Sequence, residues 1–204
     1  MLGNAAPFHI LAGPLEIFLA PVATVFPLLG ATPAADWVNL GTSTAARDIT
    51  EEGVKTMHQQ SLQQWFGLGS TGPRKVFRAQ EQLLIEATLA DLSVENYKVA
   101  LNGNTITTVT ATSEVVGQKH MGLSRGLTVT LYALCMRGAS PYGDQFRRQY
   151  DIPVVYVSSE PEPTPTKDTP GLMMLQFTAL EDPSAASAAV RFGIYRGQTA
   201  AITA

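Results

Sequence analysis

The sequence predicts a mainly β fold, an antiparallel β-sandwich or barrel with one flanking α-helix. Most apolar stretches alternate apolar and polar residues with a period of two, which is typical of strands with one buried face. One stretch, just after residue 90, instead repeats its apolar residues at helical spacing. The length of 204 residues predicts a single domain over 1–204.

The clearest strand is 76–90, where apolar residues occupy odd positions from Phe77 to Leu89 and polar residues occupy most even positions. A strand of about 15 residues would be near 50 Å long, so we expect it to bend or break once. Pro153 is predicted to lie at a sheet edge or a β-bulge. The same alternation predicts further strands over 15–22, 127–135, 146–156, 172–180 and 189–196.

The predicted helix begins after Asp91 or Ser93, either of which can cap it, and stops at Asn102–Gly103. Because it has only about ten residues, it must pack on the strands to be stable. Two long loops are predicted, a polar one over 41–53 and a proline-rich, extended excursion over 158–171.

Composition excludes several classes of protein. The net charge is −3 and charged residues make up only 15%, without the basic excess of a nucleic-acid-binding domain. Cys135 is the only cysteine and lies in an apolar run, which indicates a buried thiol and no intrachain disulfide. The apolar N-terminus has no basic residue before Arg47 and is interrupted by prolines, so we expect a soluble product made in the cytoplasm.

Sequence motifs give no support for catalysis. Gly67–Gly72 matches G-x-G-x-x-G, but a polar run precedes it and a strand follows it, which predicts a hairpin connection rather than a dinucleotide site. His9, His58 and His120 lack the spacing of metal ligands. The paired acids lie in or beside predicted loops. No catalytic residue, metal or cofactor is predicted.

Two alternatives remain at this point. A β-sandwich that binds carbohydrate or a receptor on a virion would use Trp37 or Trp65 as a stacking platform. A hydrolase would need His, Ser and acidic groups to converge in one cleft, and no residue spacing indicates such a cleft.

One feature is unusual for a globular subunit. Residues 55–64 look extended, yet both of their faces are polar. Burial has to offset the entropy of ordering a strand, and this strand buries neither face. Such strands are expected to rise off the body and pair with neighbouring copies in a closed multi-chain barrel. A solvated surface hairpin is the competing interpretation.

The chain resembles the major tail tube proteins of long, non-contractile-tailed (siphovirus-type) bacteriophages. The similarity covers about residues 11–110, and 171–197 fit more loosely. It is carried by LEIFLAPV (15–22), WVNLGTS (37–43), WFGLGSTGPRKVFR (65–78) and LIEATLADLSVENYKVALNGNT (84–105).

The resemblance implies a structural protein whose hexameric rings stack into a tail tube, a conduit for DNA ejection. In that family two long hairpins per subunit line the lumen, and the strands 54–66 and 76–90 would form one of them. The 41–53 loop would contact the adjacent subunit or ring through Arg47, Asp48, Glu51 and Glu52. Strand parity gives the expected lumen-facing residues as His58, Gln60, Gln64, Arg78, Gln80, Gln82 and Glu86.

The same resemblance implies the partners. They are further copies of the chain, the tail tip and tail terminator proteins, and tape measure protein or DNA in the lumen without sequence-specific binding. No membrane partner and no cofactor are expected. The expected location is the virion tail, after synthesis in the host bacterial cytoplasm. Non-specific DNA affinity comes from Lys and Arg on phosphates, so a lumen wall of Gln, Ser, Thr and acids would let DNA pass.

Overall fold

The computed structural model describes residues 15–41, 48–140, 143–168 and 170–199. The helix α1 is Val94–Ala100, and a short 3-10 helix spans Ala188–Val190. The strands are β1 (Leu15–Pro21), β2 (Val38–Asn39), β3 (Ile49–Phe66), β4 (Pro73–Leu89), β5 (Ile106–Val109), β6 (Gln118–Met121), β7 (Tyr132–Ser140), β8 (Gly143–Val157), β9 (Met173–Ala179) and β10 (Ile194–Gly197).

The main sheet has eight antiparallel strands in the order β2-β1-β7-β8-β9-β4-β3, with β10 also beside β8. β5 and β6 form a separate hairpin. The mainly β, antiparallel fold with one α-helix is thus confirmed for the described residues. β2 and β3 are edge strands that do not pair with each other, so the sheet is not closed into a barrel within the subunit.

The main core collects apolar side chains from β1, β4, β7, β8 and β9 on one face of the sheet. Met173, Leu175 and Phe177 of β9 are fully buried there, as their alternation predicted. The helix adds Ala100. As predicted, Ser93 caps α1: its Oγ accepts a hydrogen bond from the Asn96 N–H (3.3 Å).

A second cluster lies on the opposite face of β1 and β7. It contains Ala20, Trp37, Ala133 and Cys135, against which Phe26 packs. The segment 22–36 therefore covers this face, and β1 and β7 are buried on both sides.

The predicted strand 127–135 is wrong over its first half, because β7 begins only at Tyr132. Leu127 and Val129 are exposed. The Asn102 side chain explains the difference. Its amide nitrogen donates to the carbonyl of Thr128 and its oxygen accepts from the Thr130 N–H, so these backbone groups are satisfied without a neighbouring strand.

The predicted strand 189–196 is also wrong over most of its length. The chain forms the 3-10 helix and a turn before β10 starts at Ile194. The turn depends on Gly193, whose φ of +123° lies in the region that side-chain-bearing residues rarely adopt. β2, β5 and β6 were not predicted, since two- and four-residue strands leave too little alternation to detect.

Pro153 lies at a β-bulge and not at an edge. β8 is an inner strand, and its register against β7 shifts between Val155 and Ile152. The segment 158–168 has no regular secondary structure, as predicted, yet Ser159 within it is buried. The Ser159 carbonyl accepts a hydrogen bond from Arg125 (3.1 Å).

Candidate assembly surface

The β3–β4 hairpin extends well beyond the sheet. β4 pairs with β9 only from Leu84 to Leu89, and the preceding residues of β4 pair with β3 alone. We call the projecting part, His58–Leu83, the arm. At about 3.3 Å per residue, nine or ten residue pairs make the arm roughly 30 Å long. Every residue from Pro73 to Gln82 is exposed, on both faces of the hairpin.

Local sequence accounts for the shape of the arm. The Gly67–Gly72 connection is a turn, as predicted, in which the Ser70 N–H donates to the Gly67 carbonyl (3.0 Å). Gly69 has a φ of +81°, which favours glycine. The strand register shifts between Ser61 and Leu62 and leaves Ala79 as an extra residue on β4. This bulge is the break expected in the long strand.

The register divides the expected lumen residues between the two faces. Residues directly opposite each other in an antiparallel pair share a face. His58 lies opposite Leu83 and Gln60 opposite Glu81, so even positions of β3 share a face with odd positions of β4. Beyond the bulge the parity of β4 changes, and Arg78 lies opposite Leu62.

The consequence is that His58, Gln60, Gln64 and Arg78 lie on one face, whereas Gln80, Gln82 and Glu86 lie on the other. Alternation within each strand does not determine which residues of two paired strands share a face. The residues therefore cannot all face a single channel from this hairpin, although those on the arm are exposed.

Polar contacts stabilise the root of the arm. The Arg78 Nε donates to Gln60 Oε1 across the hairpin (3.0 Å). Glu81 forms ion pairs with Arg78 (3.4 Å) and with Arg191 next to the 3-10 helix (3.1 Å). These charges are substantially exposed, and each such pair contributes well under about 1 kcal/mol.

Both edges of the arm are open. β3 is the outermost strand of the sheet, so among the described strands none pairs with its outer edge over its 18 residues. The β4 edge from Pro73 to Leu83 likewise has no partner strand in the described part of the chain. Long unpaired edges leave backbone N–H and C=O groups available for another chain.

Residues 49–53 of the expected inter-subunit loop 41–53 belong to β3 instead. Arg47 lies outside the described residues. Asp48 is in a turn, and its carbonyl accepts a hydrogen bond from the Ala90 N–H (2.7 Å). Glu51 and Glu52 are on β3, where both are exposed. Gly53, with a φ of +70°, follows them at an irregularity in the pairing. The alternation of β3 is broken at Gly53. Residues 49–53 therefore lack the sequence pattern of a strand, which is why a loop was predicted there.

The tip of the arm, Trp65–Lys75, and the residues beside it carry exposed apolar side chains, although the remainder of the arm, which we call the shaft, is mainly polar. The sequence analysis predicted 55–64 to be polar on both faces and did not single out this cluster, although the run WFGLG indicates it. The exposed apolar residues are Leu62, Trp65, Phe66, Leu68, Val76 and Phe77.

The two tryptophans do not form a common platform. Trp37 is buried, packs on Phe26 and donates its indole N–H to the Val25 carbonyl (3.1 Å). Trp65 is 55% exposed at the tip. A stacking role for Trp37 is excluded by its burial, whereas Trp65 is accessible.

A buried polar network under segment 22–36 was not predicted. The Arg137 guanidinium donates to the carbonyls of Leu28 (2.8 Å) and Ala31 (2.5 Å), and its Nε donates to Gln149 Oε1 (2.8 Å). The polar residues Gln149 and Asp151 alternate with apolar residues on β8, a spacing typical of a solvated face. Only the covering segment reveals that Gln149 is fully buried.

Asp151 completes this network beside the single cysteine. Gln149 Nε2 donates to Asp151 Oδ1 (2.6 Å), and Arg196 forms an ion pair with Oδ2 (2.6 Å). Burial raises the pKa of the Asp151 carboxyl despite these partners. Burial also raises the pKa of the Cys135 thiol to about 12, so the thiol stays protonated at neutral pH, as expected for a core cysteine.

Three further observations bear on the site. His58 is exposed on the arm and His120 on β6, and no group of three His, Cys, Asp or Glu among the described residues is arranged to hold a metal ion. Within the same residues, no helix is long and apolar enough to cross a membrane. No protein-family model matches the chain, and no similar sequence is found among curated proteins.

Proposed function

We propose that this chain is a structural virion protein that assembles as stacked hexameric rings into the tail tube of a bacteriophage, a conduit for DNA ejection. The observation that carries the proposal is the arm, which beyond the buried Leu83 at its root is exposed on both faces and open along both edges. The hexameric number comes from the resemblance to tail tube proteins. The protein's place is the virion tail, and it has no catalytic role.

The energetics of the arm support assembly. Ordering a residue costs about 1–2 kcal/mol of backbone entropy, and the arm buries almost no apolar surface within its own subunit. Neighbouring copies would supply strand partners on both edges, so that the arms together form a closed inter-subunit barrel. Closure removes the unpaired edges that a single copy leaves open. The β7–β8 hairpin is our candidate for the second hairpin of the family pattern.

The chemistry of the shaft fits a DNA conduit. Gln59, Ser61 and Gln63 on β3 and Gln80 and Gln82 on β4 present uncharged polar side chains. Such a wall binds phosphates weakly and lets DNA or tape measure protein pass without sequence-specific contact. Tail tip and tail terminator proteins would cover the surfaces left unpaired at the two ends of the tube.

The test compares wild-type protein with a variant that lacks the arm. Residues 60–81 are replaced by Asn-Gly, which closes a two-residue turn between the paired Gln59 and Gln82. Electron microscopy of concentrated wild-type protein with tail tip proteins is expected to show tubes or stacked rings. The variant is expected to stay a folded monomer with nearly unchanged Tm, because the arm contributes little burial.

The matched control shortens the other exposed hairpin. Replacing residues 110–117 by Asn-Gly joins the paired Val109 and Gln118 and is expected to leave assembly intact. Amides on the outer edge of β3 should exchange rapidly with solvent deuterium in the monomer and become protected in the assembly. A wild-type protein that stays strictly monomeric would refute the proposal, and glycan binding lost in Trp65→Ala would favour the carbohydrate-binding alternative.

A further inference from the structure

The arm tip combines apolar side chains with positive charge. Trp65, Phe66 and Leu68 are at least half exposed, and Arg74 and Lys75 lie beside them. Neither basic residue forms an ion pair with another described residue. Exposed apolar clusters with a polar surround mark interaction sites.

A cleft with complementary character lies at the opposite end of the hairpin. It has a volume of about 610 Å³ and lies between the β1–β2 pair, α1 and the residues that lead into β7. This volume is within the range of about 300–1,000 Å³ typical of binding pockets. Its lining is mainly apolar, and Val38 (65% exposed) and Leu131 (40% exposed) lie at its opening. We call it the base cleft.

The base cleft lies away from the arm tip. Pro21 and Tyr132 line it and pair with each other, and the ladders through Val155 and Ala179 place them near the root of the arm. Gly41 lines it too, and lies against Asp48, which immediately precedes β3. The tip of one subunit is therefore separated from its own cleft by at least the length of the arm, roughly 30 Å at about 3.3 Å per residue pair.

The surroundings of the base cleft are negatively charged. Asp36 lines it, Asp48 lies beside it, and Glu51 and Glu52 follow within about 13 Å of chain. Lys98 also lines the cleft. Glu95 is paired with Lys119, whose hydrogen bond lowers the pKa of that carboxyl. The acidic residues outnumber these lysines, and Glu51 and Glu52 have no ion-pair partner among the described residues.

We propose that the arm tip of one copy docks into the base cleft of the next copy, with Arg74 and Lys75 facing Glu51 and Glu52. The tip cannot reach its own cleft, so the contact is between copies. It joins two different surfaces, and such a heterologous contact repeats into an open filament when its rotation does not close into a ring. This inference rests on the proposed tube and identifies its axial contact, the one that joins successive rings.

The apolar and charged parts have different roles in this contact. Burying the aromatic tip in an apolar cleft supplies most of the attraction, because an exposed apolar side chain gains free energy in proportion to the area removed from water. The charges determine how successive copies are oriented, since two copies in opposite orientations would bring their basic tips together.

The experiment uses charge reversal and cysteine crosslinking in the full chain. Leu68→Cys with Val38→Cys is expected to give intermolecular disulfide ladders on oxidation, since the native Cys135 is buried. The matched control pairs Leu68→Cys with Val25→Cys, an exposed valine on segment 22–36, and should give no ladder. Ladder yield can be measured whether or not tubes form.

Charge reversal then tests the specific pairing. Arg74→Glu with Lys75→Glu, or Glu51→Lys with Glu52→Lys, is expected to lower ladder yield at least about tenfold. All four substitutions together restore complementarity and should restore the ladder. Rings or tubes from the wild type with no 68–38 ladder, or with ladders insensitive to charge, would overturn this inference and leave the proposed tube standing.

Other occupants of the two surfaces give distinct results. Flotation of the wild type, but not of Trp65→Ser with Phe66→Ser, on vesicles of equimolar phosphatidylcholine and phosphatidylglycerol would show that the tip binds lipid and would overturn the inference. A ladder without tubes would support the tip–cleft contact and count against the proposed tube. A protein with neither ladder nor tubes would overturn both.

Discussion

At the scale of single residues, a segment that covers a sheet face determines whether a polar side chain on that face is buried or solvated. Gln149 and Asp151 alternate with apolar residues on β8 and would be solvated if that face were open. Segment 22–36 covers Gln149 instead, and Arg137 and Arg196 supply the compensating contacts to Gln149 and Asp151. A buried carboxyl in such surroundings makes the stability of the protein depend on pH.

The titration of Asp151 has a predictable sign. The unfolded carboxyl titrates near its ordinary pKa of about 3.9, whereas burial raises the native pKa. The unfolded state therefore loses its proton first as pH rises, and the free energy of unfolding falls from about pH 4 up to the native pKa. We expect the difference in unfolding free energy between wild type and Asp151→Asn to fall over this interval, as measured by urea unfolding at several pH values.

A control with the opposite sign is available in the same protein. Hydrogen bonds from Ser184 lower the pKa of the exposed Asp182, so its contribution to stability is present at neutral pH and lost as pH falls below its ordinary range. The difference between wild type and Asp182→Asn should therefore rise, not fall, with pH over the acidic range. A flat or rising difference for Asp151→Asn would contradict the prediction.

At the scale of elements, two glycine-containing turns show how the same residue type meets different requirements. Gly69 in the arm turn has open space around it, so only its φ favours glycine. Gly193 leads into β10 at a close approach to the carbonyl oxygen of Asp151, where a Cβ would collide with backbone. Backbone cannot move aside as a flexible side chain can.

This contrast predicts the effects of two alanine substitutions. Gly69→Ala should cost about 1–2 kcal/mol of local strain, confined to the exposed turn. Gly193→Ala should lower the free energy of unfolding by at least about 2 kcal/mol more, because it adds a steric clash that displaces β10 from β8. Urea unfolding of both variants measures the difference, and equal effects would show that β10 contributes little to the folded subunit.

At the scale of the whole molecule, the subunit has unlike ends. One end presents an apolar, basic tip and the other an apolar cleft with acidic surroundings, while the shaft between them is largely uncharged. Molecules of this kind associate in one direction and not by two-fold symmetry. The low charge of the shaft also determines how weakly the assembly binds DNA.

We predict that the protein does not retain DNA. Fluorescence anisotropy with a short labelled duplex at physiological ionic strength should give a Kd weaker than about 10⁻⁴ M, because few Lys or Arg side chains are available to neutralise phosphates. The variant Gln59→Lys, Gln80→Lys, Gln82→Lys places three cations on one face of the arm and should bind DNA in a salt-dependent way. Micromolar binding by the wild type would count against a conduit.

The sequence by itself determined the local structure. Alternation identified the strands that bury one face, Ser93 and Asn102–Gly103 identified the helix ends, and the glycine-rich turn with its polar flanks identified the hairpin that becomes the arm. These features depend on neighbouring residues along the chain, whose side-chain periodicity and backbone preferences are visible in the sequence.

Only the tertiary structure decided which surfaces these elements present. The register and the bulge at Ala79 placed Gln60 and Gln82 on opposite faces, segment 22–36 buried Gln149, and the approach of β1, α1 and Leu131 created the base cleft. Each of these results depends on residues that lie far apart in the chain. A one-residue change in strand pairing reverses the face of every later side chain, and no local pattern specifies that pairing.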